Sequence, residues 1–296
     1  MVDTTRLEKL MGRPPAPGPK RPGGPNAAIN RNLALSGRRD MRREGAARAL
    51  SPQRLAQVEA QWDSLNAFTR DPAPDTRITQ FNRQARAPEI VSMFDVLRTQ
   101  LAQTFAERRL RTLAITAPNS GCGTSFVTAG LLASFARRNE QRVLGLDLNI
   151  AAPALHRYFE LQSPQPIDAL ISGASGPQNH LVKITSRVAV GLGAPDPTPD
   201  LVAQAISAQD LAETLDELVT EFVPELVILD LPPLLEGDAA MTILPQMGAT
   251  LLVADSTCTT AADITKCERL LTDKSDFLGV VLNQNSNAAR NFAKRG

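Results

Sequence analysis

The fold is decided by the stretch Leu113-Ala114-Ile115-Thr116-Ala117-Pro118-Asn119-Ser120-Gly121-Cys122-Gly123-Thr124-Ser125. It opens as an apolar strand, and an amphipathic segment over 126–138 follows it. Small residues between a strand and a helix leave several backbone N–H groups pointing at one place, where the helix macrodipole adds partial positive charge. The stretch therefore predicts a loop that can cradle a phosphate group. A tight strand–helix turn without a ligand is the alternative, and Gly121 and Gly123 suit it almost equally well.

The loop departs at two positions from the pattern G-x-x-x-x-G-K-[ST] that is typical of phosphate-binding loops. Ala117 or Pro118 stands at the leading Gly, depending on register, and Thr124 stands at the Lys. Ser125 falls where a hydroxyl would hold Mg²⁺. The candidate nucleotide-binding residues of the loop are Ser120, Gly121, Cys122, Gly123, Thr124 and Ser125, and Ser125 is also a candidate metal ligand.

Apolar runs and amphipathic segments alternate on both sides of this loop. The runs predicted as strands are Thr112–Thr116, Val143–Leu146, Val188–Val190, Leu226–Leu229, Thr250–Ala254 and Phe277–Leu282. The predicted helices are 89–107, Phe126–Arg138, Leu201–Phe222 and Ala261–Leu271. Apolar strands separated by helices indicate an α/β fold, with a doubly wound, mostly parallel sheet covered by helices on both faces.

Polar residues stand where three of these strands end. Ligands of such sheets bind at the carboxyl ends of the strands, so Asp147, Asp230 and Asn283 are candidate site residues. Asp147 and Asp230 are candidates for catalysis and for holding Mg²⁺, since carboxylates orient metal ions and attacking groups in phosphoryl transfer. Asp147 could equally cap the next turn. The amide of Asn283 could donate to and accept from a purine base.

The net charge of +1 hides two segments of opposite sign. Residues 1–88 carry 16 Lys and Arg against 8 Asp and Glu, a net +8, and residues 89–296 carry 16 against 23, a net −7. The composition predicts a disordered, basic, Pro-rich arm over 1–50, a short helix and linker over 51–87, the main domain over 88–284 and a flexible tail over 285–296. The arm is either a solvated linker or a tether to an acidic partner or an anionic membrane surface.

Composition excludes several other classes of protein. Aromatic residues make up 4% of the chain, too few for a platform that stacks single-stranded nucleic acid. The three Cys form no CxxC pair, which argues against a zinc site and a disulfide framework. No run reaches the length of a membrane span, and the first residues lack the layout of a signal peptide. We therefore expect a cytoplasmic protein.

The motifs in this order resemble those of the tyrosine-kinase-like ATPases of bacterial capsule and exopolysaccharide synthesis, the CpsD/CapB type, within the MinD/ParA group of P-loop proteins. The resemblance covers roughly residues 89–284. Its segments are Phe94–Leu101 (similar to F-R-x-L-R-T-N-L), Pro118–Ser125, Val143–Pro153 (V-L-L-I-D-x-D-x-R-x-P), Gly193–Leu218, Val227–Ala239 (V-I-I-D-x-P-P and a later D-A) and Gly279–Asn283 (G-V-V-L-N).

The sequence also departs from the family where the chemistry would lie. Thr124 replaces the phosphate-binding Lys, and Asn149 and Ala151 replace an Asp and an Arg of the second motif. In the family's E-x-x-R-x-x-R oligomerisation helix only Arg98 is retained. The family's kinases carry a C-terminal tyrosine cluster, whereas the single Tyr here is Tyr158.

The resemblance and its departures together imply a degenerate member of the group. We expect it to bind ATP or ADP with Mg²⁺ weakly or not at all, and to regulate a membrane polysaccharide copolymerase or chain-length protein, either from the cytoplasm or at the inner face of the membrane. A homo-oligomer is a further expectation, and nucleic acid is not an expected partner.

One alternative is an active ATPase or kinase with a substitute cation, for which Arg98, Lys183 and Lys266 are candidates. Another is a MinD/ParA-like positioning ATPase with a DNA- or membrane-binding arm.

Overall fold

The computed structural model describes residues 50–67, 88–161, 165–173, 176–194 and 207–284. The arm before Leu50, most of the linker, residues 201–206 of the predicted helix and the tail 285–296 lie outside these ranges. The strands are β1 (Asn66–Ala67), β2 (Thr112–Thr116), β3 (Val143–Asp147), β4 (Leu181–Lys183), β5 (Val188–Gly191), β6 (Leu226–Asp230), β7 (Ala249–Asp255) and β8 (Asp276–Asn283). The helices are α1 (Pro52–Ser64), α2 (Pro88–Arg108), α3 (Thr124–Arg138), α4 (Leu155–Phe159), α5 (Ile167–Ile171), α6 (Ala208–Phe222), α7 (Ala239–Ile243) and α8 (Ala261–Leu271).

The strands form one sheet in the order β1-β4-β5-β3-β6-β2-β7-β8. Neighbouring strands are parallel except for β4 and β5, which are antiparallel. This confirms the predicted fold class. Each of the six predicted strands begins and ends within one residue of its expected bounds, whereas β1 and β4, at one edge of the sheet, were not predicted.

Helices cover both faces of the sheet, so the central strands are buried on both sides. Along β2, Leu113 and Ile115 contact the apolar cluster under α2 and α3, and Ala114 faces the cluster under α6 and α8. The helices α2 and α3 approach closely at Gly130, where a Cβ would lie 2.2 Å from the ring of Phe94. The sheet thus has two apolar layers that fix α3 against β2.

The segment 50–67 packs against the same domain. Trp62 is buried, its Nε1 donates to the carbonyl of Phe222 at 2.8 Å, and the two rings meet edge to face at 6.0 Å. Four residues after Trp62, β1 begins, pairs with β4 and extends the sheet. The structure thus places this helix against α6. Leu55, in the first turn of the helix, is 40% exposed.

None of the helices within the described ranges has the length and apolar character that crossing a membrane requires.

We expect Trp62→Ala to destabilise the domain by about 3 kcal/mol or more, because the variant leaves a large cavity and removes a buried hydrogen bond. The measurement is urea denaturation followed by circular dichroism, since Trp62 is the single tryptophan. The control is Leu55→Ala, at an exposed position in the first turn of the same helix, with an expected change within about 0.5 kcal/mol. Equal effects of the two substitutions would contradict docking of α1 on α6.

Candidate functional site

The loop between β2 and α3 lies at the carboxyl edge of the sheet, after a central strand whose neighbours are β6 and β7. Gly121 and Gly123 have positive φ angles of 80° and 92°, a region of backbone conformation that favours glycine. Gly123 is the N-cap of α3, and no side chain caps the helix there. The first N–H groups of α3 therefore lack a side-chain acceptor, as a phosphate-binding helix end requires.

The loop is joined to the chain segment that follows β6. The carbonyl of Ala117 accepts from the N–H of Leu234 at 2.8 Å, and the carbonyl of Pro118 accepts from the N–H of Leu235 at 3.0 Å. Beyond them, the N–H of Ser120 donates to Oε1 of Glu236 at 2.6 Å. The β2–β6 pairing thus continues past the ends of both strands, and it ends on a carboxylate.

Two predicted carboxylates lie side by side next to this loop. Asp147 ends β3 and Asp230 ends β6, and the two residues are direct partners in the parallel ladder. Both are fully buried. Oδ2 of Asp147 accepts from the N–H groups of Ala154 and Leu155, each at 3.0 Å. One oxygen of Asp147 therefore caps the next turn, and its Oδ1 has no hydrogen-bond partner within the described residues.

Asp230 is the less satisfied carboxylate of the pair. Neither of its oxygens accepts a hydrogen bond from any residue that the structure describes. The hydroxyls of Ser125 and Thr128 lie close enough to lower its pKa, but burial and then the charge of Asp147 raise that pKa well above its ordinary value. For Asp147, burial raises the pKa to about 6 against its backbone hydrogen bonds. Buried, unpaired oxygens at a strand end are suited to binding a cation.

Ser125 and Thr124 begin α3 beside this pair. Ser125 is buried, and its hydroxyl lies near Asp230. Thr124 is half-buried, and its carbonyl accepts from the hydroxyl of Thr128 at 3.0 Å. The structure thus brings Ser125, Asp147 and Asp230 together, as the sequence predicted, and a neutral side chain occupies the position of the missing Lys.

Asn283 also reaches the loop, through its side chain. Its Nδ2 donates to the carbonyl of Cys122 at 2.9 Å, and a Cβ at Gly123 would lie 2.1 Å from the same nitrogen. The amide that was predicted to contact a purine base therefore braces the loop. Cys122 is fully buried, with its Sγ 3.6 Å from the hydroxyl of Thr259.

Two of the candidate substitute cations make contacts elsewhere, and the third, Lys266, is exposed on α8. Arg98 donates to the carbonyl of Ser134 at 3.3 Å, in the interface of α2 and α3. Lys183 donates to the carbonyl of Asp63 at 3.2 Å, at the edge of the sheet. Within the described part of the chain, no ion pair involves Asp147 or Asp230.

Two residues of the site were not predicted from the sequence. Tyr158, on α4, is half-buried against Phe126, with ring centroids 6.0 Å apart. Burial and the nearby charge of Asp230 raise its pKa. Glu236 is the other missed residue. Its position soon after a strand that ends in Asp was the only signal in the sequence that it could reach the carboxyl edge.

A glycine-containing loop between a strand and a helix, with two carboxylates and a hydroxyl at the centre of a mostly parallel sheet, gives the chain the fold of a P-loop-type α/β protein. No family model matches it. It is 23% identical to the putative tyrosine-protein kinase CapB of Staphylococcus aureus over 196 residues, 66% of this chain and 84% of that protein. It is 25% identical to the tyrosine-protein kinase YwqD of Bacillus subtilis over 191 residues, 64% of this chain and 79% of that protein.

Solved structures agree with the fold. The kinase domain of the Escherichia coli tyrosine kinase ETK superposes with a TM-score of 0.57 at 23% identity, over 65% of this chain and 74% of that domain. The septum site-determining protein MinD of Pyrococcus horikoshii, complexed with Mg-ADP, superposes with a TM-score of 0.51 at 18% identity. This match covers 61% of this chain and 72% of that protein. The relatives that match this chain are thus bacterial tyrosine-kinase-like proteins, and its fold is similar to that of MinD. The resemblance inferred from the sequence is confirmed.

In the absence of nucleotide and Mg²⁺, we expect the stability of the domain to fall as the pH rises. The pKa of Asp147 is raised from its ordinary value of 3.8 to about 6. The folded chain therefore keeps this proton to higher pH than the unfolded chain, and stability is lost between about pH 4 and pH 6. Asp230→Asn removes the neighbouring charge and should add roughly 2 kcal/mol at pH 7.5 and little at pH 4.

Urea denaturation at both pH values tests this expectation. The control is Asp273→Asn, since Asp273 is exposed after α8. It should change the free energy of unfolding by less than about 0.5 kcal/mol at either pH. An Asp230→Asn variant that is less stable than the wild type at pH 7.5 would contradict the cost of burying two adjacent carboxylates.

Proposed function

We propose that this chain is a degenerate nucleotide-binding protein of the tyrosine-kinase-like group, which regulates a membrane polysaccharide chain-length or export protein from the cytoplasmic side. One observation carries the proposal. The loop, the helix end and the paired carboxylates keep the arrangement of a nucleotide site, while Thr124 puts a neutral side chain where the phosphate-binding Lys belongs. Such a site favours binding over turnover.

The described residues fit a nucleotide phosphate with Mg²⁺. The N–H groups of the loop and of the first turn of α3 would face phosphate oxygens. The hydroxyl of Ser125 and the free oxygens of Asp147 and Asp230 are the hard oxygen donors that Mg²⁺ prefers. When bound, Mg²⁺ supplies positive charge next to the phosphates. The complex of MinD with Mg-ADP supports this choice of ligand by analogy of fold.

We expect phosphoryl transfer to be slow because the loop lacks a cationic side chain. Catalysis of phosphoryl transfer depends mainly on cations that stabilise charge as it develops on the phosphoryl oxygens. Thr124 contributes a hydroxyl and no charge. Arg98 and Lys183 make other contacts, so an active ATPase with a substitute cation has less support than a binding protein.

Tyrosine autophosphorylation is also a weak candidate activity. Tyr158 is the single tyrosine, and it is half-buried beside Asp230 rather than near the C-terminus. A phosphate on its hydroxyl would lie close to the buried carboxylate of Asp230. We therefore propose that the output of the protein is a nucleotide-dependent interaction with its membrane partner.

Thr124→Lys should restore the missing cation. By calorimetric titration of the full chain we expect Mg-ADP to bind this variant about tenfold more tightly than the wild type, because a charge-assisted contact to phosphate is added. The rate of ATP hydrolysis should rise about tenfold or more. Thr124→Gln, which has a long neutral side chain, is the matched control and should show neither gain.

The same titration decides between the candidate functions. A fast Mg²⁺-dependent ATPase in the wild type, abolished by Asp230→Ala, would overturn the degenerate assignment in favour of an active enzyme. Absence of Mg-ADP binding in both the wild type and Thr124→Lys would overturn nucleotide binding altogether.

We further propose that the basic arm holds the protein at an anionic membrane surface. The net +8 of residues 1–88 supports this, since each basic residue near such a surface contributes about 1 kcal/mol. The full chain should float with vesicles of phosphatidylglycerol and phosphatidylcholine, and replacing Arg38, Arg39, Arg42 and Arg43 with Gln should weaken this binding severalfold. Vesicles of phosphatidylcholine alone are the control. Salt-sensitive binding to duplex DNA without vesicle binding would favour the positioning-ATPase alternative instead.

A further inference from the structure

An exposed carboxylate contacts the loop that is proposed to bind phosphate. Oε1 of Glu236 accepts a hydrogen bond from the backbone N–H of Ser120 at 2.6 Å. A carboxylate oxygen is a stronger acceptor for an N–H group than a neutral carbonyl oxygen. A carboxylate oxygen and a phosphate oxygen both accept a hydrogen bond from an N–H group. The two would therefore compete for the N–H of Ser120.

We propose that Glu236 is an internal competitor of phosphate, which occupies the N–H of Ser120 and must leave before a phosphate oxygen can take its place. The inference rests on the proposed nucleotide site and adds the residue that controls entry to it. Glu236 thereby sets the affinity of the site for phosphate.

The backbone positions Glu236 for this role. The two residues before it, Leu234 and Leu235, donate to the loop carbonyls of Ala117 and Pro118 at 2.8 and 3.0 Å. The Glu236 side chain is thus tethered next to Ser120 and competes with a high effective concentration. Glu236 itself is exposed, so its side chain can swing into solvent without breaking the two backbone contacts.

Charge strengthens the competition. Glu236 adds a carboxylate to an edge of the sheet that already holds Asp147 and Asp230, and no ion pair to any of these three occurs in the part of the chain that the structure describes. A polyphosphate that approaches the loop meets like charge at short range, where screening by salt is weakest. Removing the charge of Glu236 should therefore favour phosphate even where the length of the side chain is kept.

Calorimetric titration of Mg-ADP into the full chain tests the proposal with two substitutions. Glu236→Ala removes the competitor, and we expect about tenfold tighter binding. Glu236→Gln keeps the length and an accepting oxygen but removes the charge, and we expect a gain of severalfold. Glu217→Gln, an equal change of charge on an exposed position of α6, is the control and should leave the affinity unchanged.

Amide hydrogen exchange without nucleotide tests the contact itself. Exchange at the N–H of Ser120 should be faster in Glu236→Ala than in the wild type and unchanged in Glu217→Gln. Equal exchange in the wild type and Glu236→Ala would overturn the inference.

In the titration, Mg-ADP binding of equal affinity in the wild type and in both Glu236 variants would overturn the inference too, and would leave the proposed function standing. Lack of binding in the wild type and in every variant would overturn the proposed function, and the competition with it.

Discussion

The pairing of β6 with β2 on one side and with β3 on the other determines where every group of the site lies. The register sets Asp230 opposite Ile115 and opposite Asp147, so the loop that follows β2 begins two residues beyond the level of this pair of carboxylates. The β2–β6 pairing also continues past the strands, and in doing so it carries Glu236 to Ser120. A shift of this register by one residue would turn the side chains of β6 to the opposite face. It would separate all of these groups at once.

This arrangement costs stability, and the apolar layers offset the cost. Two adjacent carboxylates are fully buried, with three of their four oxygens unpaired within the described ranges. An uncompensated buried charge destabilises a fold by several kcal/mol. The strands that hold these carboxylates are buried along their whole length, and Gly130 lets α2 lie close on α3. A rigid, well-packed sheet can hold like charges side by side, and a bound cation would relieve the repulsion.

Much of this could be predicted from the sequence, because the central strands are continuous apolar runs and their last residues are polar. The periodicity gave the six long strands, and the rule on carboxyl ends of strands gave Asp147, Asp230 and the loop. The periodicity did not predict β1 and β4, because these strands are too short to show a pattern. It also failed for contacts between distant residues. Glu236 meets Ser120 across 116 residues, and Asn283 braces Cys122 across 161. Such contacts depend on how loops lie at the sheet edge, which no local pattern encodes.

The charge at the candidate site supports the proposed role in binding, rather than in turnover, more clearly than any single substitution does. Such enzymes place cations around the phosphates, so that the developing negative charge is stabilised before it forms. Here the loop presents backbone N–H groups and a neutral Thr124, while the surrounding side chains include Asp147, Asp230 and Glu236. A polyphosphate without a metal ion would be repelled by these carboxylates, and only a species that brings its own positive charge can be accommodated. Mg-ADP and Mg-ATP are such species, and their occupancy of the site would depend on both Mg²⁺ and the position of Glu236. A site of this kind is suited to sensing nucleotide rather than to consuming it.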